Sequence, residues 1–111
     1  MKQFIPLAMI LSMFNACTAM DIKVFEESLV IKAHFNKMRE ERAVLKTLLT
    51  RVQGMQPGAE KAARIDSLRR SFKSFHANAV DSAARCSTHH IKFARRYKAE
   101  ARAMEVMAGG L

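Results

Sequence analysis

Tryptophan is absent, tyrosine occurs once, and proline and glycine occur only two and four times among 111 residues. An all-β chain turns every roughly 8–12 residues and relies on glycine and proline to do so, so this scarcity argues against a sandwich or barrel. The two cysteines, Cys17 and Cys86, are too few for a disulfide framework or for paired Cys-x-x-Cys zinc knuckles. No Gly-rich phosphate loop is present. Ser82 with Asp81 and His89, and His34 with Glu26 or Glu27, are chance neighbours on helices that lack the turn needed to hold an oxyanion. These absences predict a non-enzyme with no catalytic residues, no cofactor and no small-molecule substrate.

Half of the residues are apolar, mostly Ala, Leu, Met, Val and Ile, a composition that favours helices. The length suits one core and no second one. Nineteen Lys and Arg oppose ten Asp and Glu, for a net charge of +9. Such an excess attracts lipid head groups, nucleic acid or an acidic protein surface. It is uneven, with seven basic and five acidic residues in 21–57 against eleven and five in 58–111.

The N-terminus has the layout of an export signal: Lys2 in a short charged start, the uncharged run Phe4–Phe14, then the small and polar Asn15-Ala16-Cys17-Thr18-Ala19. The run is short for a membrane span, which takes about 20 apolar residues. Cleavage after Ala19 is one expectation. A second is lipidation of Cys17, because Phe14-Asn15-Ala16-Cys17 resembles the lipobox of bacterial lipoprotein signals in its Ala and Cys, while Phe14 and Asn15 depart from it. A third keeps residues 1–20 as an anchor or as part of the fold. Export or membrane anchoring places the protein in or at a bacterial envelope or periplasm, whereas residues 1–20 as part of the fold would place it in the cytoplasm.

From Asp21 onward Val24, Ile31, Phe35, Met38, Leu45, Leu49 and Val52 follow a 4-3 series, interrupted by Ser28 and Arg42. This predicts a first helix over about 21–53, capped by Asp21 and about 50 Å long. Gly54 offers a left-handed stop and Pro57 a start for the next helix, making 54–58 the turn. A second helix over about 59–107 then carries Ile65, Leu68, Phe72, Phe75 and Ala79, its apolar stripe drifting later to Phe93, Tyr97, Ala101 and Met104. The expected architecture is all-α: an antiparallel, coiled-coil-like hairpin in a single domain, 21–111, in which residue i lies near residue 112 − i. A break at 78–81, capped by Asp81, or at the helix-poor stretch Cys86-Ser87-Thr88-His89-His90 would convert it to a three-helix bundle. Two helices leave one side of each stripe bare, so a third helix, a second hairpin or a membrane is expected to cover it.

On an unbroken helix Cys86 would share a face with His89 and His90, the only metal-ligand types close together, but further ligands are lacking and no metal site is expected. Cys86, unpaired after export, is a candidate for an intermolecular disulfide, or else a small packed residue. The most function-like feature is the basic cluster Lys92, Arg95, Arg96, Lys98 and Arg102, interleaved with Phe93, Tyr97, Ala101 and Met104. It fits a helix lying on anionic lipid or along a phosphate backbone. A plain solvated face, with Arg96 paired to Glu100 and Arg102 to Glu105, is the third reading.

The expected function is therefore an envelope-associated helical interaction or structural protein that binds an anionic surface or a protein partner through its basic C-terminal helix. Self-association is also expected. Nucleic-acid binding inside the cell is the second choice. An export signal followed by a coiled coil is similar in layout to small phage lysis accessory proteins of the spanin type and to small secretion-system components, an analogy of architecture alone.

Overall fold

A computed structural model describes residues 19–111, so Cys17 and nearly all of the segment expected to be an export signal or anchor lie outside the described residues. Among them are three helices and no strand: α1 (Ala19–Gln53), α2 (Ala59–Arg85) and α3 (Ile91–Ala108), with one 3-10 turn at Thr88–His90. The chain divides into two compact units, Met1–Lys32 and Ala33–Leu111.

In the first unit, the start of α1 carries Met20, Ile22, Phe25, Leu29 and Val30 exposed.

The second unit holds the core. Phe35, Met38, Leu49 and Val52 of α1 are buried, together with Leu68, Phe72, Phe75, Ala79 and Ala83 of α2 and Tyr97, Ala101 and Met104 of α3. All but Ala83 lie on the 4-3 series or its later drift, whereas Leu45, Ile65 and Phe93 of the same stripes are half-buried. The stripes are too apolar to leave in water, and their burial drives the association of the helices. Leu45, Phe75, Ser67, Ser74 and Lys37 line one groove between α1 and α2, as antiparallel pairing with indices summing to about 112 requires.

The turn differs from expectation in detail. α1 ends at Gln53, but Gly54 is not left-handed; its N–H donates to Thr50 O at 3.2 Å and Met55 N–H to Val52 O at 3.1 Å. Gly58, with φ 159°, is the N-cap of α2, so Pro57 precedes the cap rather than occupying the first helical position.

The second helix is not continuous to 107. α2 passes unbroken through Asn78–Asp81, and Asp81 pairs with Arg85 instead of capping a helix. The break falls at the helix-poor stretch: Cys86 adopts extended backbone (φ −68°, ψ 131°), Ser87 follows at ψ 173°, and the His90 N–H donates to Ser87 O at 2.9 Å to close the 3-10 turn. The chain then reverses, and α3 supplies the cover that the hairpin lacked.

Ala79, Ala83 and Ala101, all buried, let α2 and α3 approach one another closely. α1 and α3 run parallel, as successive contacts show: His34 meets Tyr97, Arg42 meets Glu100, and Gln53 Nε2 donates to Gly110 O at 3.2 Å.

Candidate anion-binding face

α3 has two sides. Phe93, Tyr97, Ala101 and Met104 form the inner one; three of these are buried and Phe93 is half-buried. Tyr97 is pinned to α1, with its hydroxyl 2.7 Å from His34 Nδ1 and its ring edge-on to Phe35 at 5.4 Å between centroids; Phe35 also meets Phe93 at 6.5 Å. Burial, with a smaller contribution from the nearby Cys86 thiol, raises the Tyr97 pKa above its ordinary 10.0. The apolar stripe expected to flank the cations on a lipid surface is thus inside the bundle. It leaves no broad apolar face on α3 for insertion.

The outer side carries Lys92, Arg95, Arg96, Lys98 and Arg102, all exposed. Neither expected pair, Arg96–Glu100 or Arg102–Glu105, forms. Glu100 faces inward and pairs with Arg42 of α1, while Glu105 Oε1 lies 2.9 Å from His76 Nε2 of α2. The only carboxylates of α3 are therefore engaged with other helices. None of the five cations has a carboxylate partner among the described residues. Arg96 instead lies over the Phe93 ring, 5.4 Å from its centroid, a cation–π contact that leaves its charge uncompensated. By contrast Arg64, Arg70 and Arg85 of α2 each pair with an acidic residue one turn earlier. The cluster spans about 15 Å of helix from Lys92 to Arg102.

Cys86, His89 and His90 do not share a helix face, because the chain breaks between them. Cys86 is half-buried and its thiol donates to Ser82 O at 3.3 Å; burial raises its pKa above the ordinary 9.0, which disfavours the reactive thiolate. His89 is exposed, whereas His90 is buried with Nε2 lacking a hydrogen-bond partner among the described residues. No three His, Cys, Asp or Glu side chains among those residues converge as metal ligands would.

Two open grooves flank the bundle. One of about 680 Å³ between α1 and α2 has Val44, Leu45 and Phe75 along it, with Glu40, Glu41 and three serines at its edges. The other, about 270 Å³, lies between α2 and α3 beside Phe72, Met104, Arg69 and Lys73. Among the described residues no helix is long and apolar enough to cross a membrane. No protein-family model matches the chain, and neither a curated protein nor a solved structure is significantly similar to it.

Proposed function

We propose that the protein is a non-enzymatic helical binding component of an envelope, docking on an anionic surface through the outer face of α3. The observation that carries this reading is that both carboxylates of α3 are engaged by other helices, the buried Glu100 by Arg42 and the exposed Glu105 by His76. Five cations are left along one helix with no internal neutralisation, on a chain whose net charge is +9. Clustered like charges repel one another unless something external balances them, and a polyanion does so by releasing its own counterions. The envelope placement rests on the export-signal layout of residues 1–20.

The burial of Phe93, Tyr97, Ala101 and Met104 changes how such docking works. Contact is predominantly electrostatic and peripheral. The same burial favours a second reading, an intracellular nucleic-acid-binding protein, because a phosphate backbone also asks for solvent-facing cations without a deep apolar face.

The test is binding of the chain, in the form its host makes, to vesicles containing anionic lipid and to duplex nucleic acid across a salt series. Affinity should fall steeply from roughly 50 to 200 mM salt. It should drop about fivefold for each cation among Lys92, Arg95, Lys98 and Arg102 replaced by Gln. Binding insensitive to both salt and these substitutions refutes the proposal.

A further inference from the structure

The solvent side of α3 is not uniformly charged. Ile91, Arg95, Lys98, Arg102 and Val106 succeed one another at steps of 4, 3, 4 and 4 residues, which places all five on one stripe of a 3.6-residue helix. The stripe lies opposite the buried one. Its two ends are apolar and bare: Ile91 is 53% exposed and Val106 is 79% exposed, the largest exposure of any large apolar side chain among the described residues. Between them stand three cations without carboxylate partners. The end residues are about 22 Å apart along the axis.

We propose that this stripe is a membrane-docking strip that lies flat on an anionic bilayer leaflet. This deepens the reading of α3 as an anion-binding face and rests on it. Arg95, Lys98 and Arg102 sit at the level of the lipid phosphates, their long aliphatic stems reaching from a helix that rests slightly deeper. Ile91 and Val106 dip between the head groups at either end. Charge complementarity selects the leaflet's sign, and the apolar ends select a bilayer over nucleic acid. A phosphate backbone offers Val106 nothing but water and charge, whereas the glycerol and upper acyl region removes its methyl groups from water. The strip is narrow, so it anchors reversibly and supplements whatever residues 1–20 contribute.

The chain contains no tryptophan, so one introduced at either end of the strip is a unique reporter. In the full chain as its host processes it, Val106→Trp and, separately, Ile91→Trp should shift their emission to the blue on vesicles containing phosphatidylglycerol. Brominated lipid should quench them there. Arg95→Gln/Arg102→Gln in the same background should raise the lipid concentration at half-shift about 25-fold. In vesicles of phosphatidylcholine alone the emission should stay at its solvent position.

If both reporters keep solvent-like emission on anionic vesicles that demonstrably bind the chain, the strip is refuted, while the wider anion-binding reading stands. The same conclusion follows if duplex RNA binds with a steep salt dependence and vesicles do not. If the double Gln variant binds vesicles and RNA as the parent does, the underlying reading of α3 fails as well. Circular dichroism of each variant, unchanged from the parent, separates these outcomes from misfolding.

Discussion

Glu100 is the residue on which both the packing of α3 and the charge of its outer face turn. Its side chain is 7% exposed and its partner Arg42 is 32% exposed, so the carboxylate depends on that guanidinium for most of its compensation. Arg42→Met keeps the length and much of the packing of the stem but leaves a charge in the core. Breaking a buried pair in this way costs 3–5 kcal/mol; with Arg42 one-third exposed and some water able to reach the site, we expect about 3 kcal/mol. Glu100→Met should cost less, about 1 kcal/mol, because the remaining arginine, already one-third exposed, can turn to solvent. Arg42→Met/Glu100→Met should return to within about 1 kcal/mol of the parent, since a buried pair replaced by apolar groups of similar volume is often neutral. Urea unfolding followed at 222 nm gives the three values, with a common m-value as the check on two-state behaviour. The sum of the singles exceeds the expected cost of the double by about 3 kcal/mol, which is the coupling between the two sites. A double variant as unstable as the sum of the singles, or an Arg42→Met variant as stable as the parent, would overturn the account of α3's inward-facing carboxylate.

Met104 is 1% exposed on the inner side of α3, beside Phe72 of α2, so Met104→Ala should lower stability by about 3 kcal/mol in the same urea assay. Ala79 has no exposed surface where α2 and α3 approach closely; Ala79→Leu should cost about 2 kcal/mol by forcing the helices apart. Stability should also decline at alkaline pH. The Cys86 and Tyr97 pKa values are raised in the fold, so their contribution is complete below the ordinary values of 9.0 and 10.0 and is lost as pH rises through the raised ones. Thermal unfolding of Cys86→Ala should show the lower part of that loss removed. The intact mass of the chain from its native host should match cleavage after Ala19 or lipidation at Cys17; a full-length mass would refute both and leave residues 1–20 as an anchor or as part of the fold.

The core was legible because burial obeys periodicity. Phe35, Met38, Leu49 and Val52 fall on the 4-3 series, and the drift to Phe93, Tyr97, Ala101 and Met104 marks the inner side of α3. The reversal at Cys86–His90 was legible only as one of two break points, since local propensity in Cys-Ser-Thr-His-His weakens a helix without saying that the chain turns back. The partners of Glu100 and Glu105 could not be read at all. Spacing along one helix suggested Arg96 and Arg102, yet the actual partners, Arg42 and His76, lie 58 and 29 residues away.

The sequence by itself determined that this protein is helical, where its apolar stripes run, and that its C-terminal third is cationic, because hydropathy period and composition are properties of neighbouring residues. The tertiary structure alone decided that the break folds α3 onto the hairpin and engages its two carboxylates with other helices, so that its cations face outward uncompensated. Those outcomes depend on which distant side chains meet, and contacts across tens of residues leave no trace in local pattern.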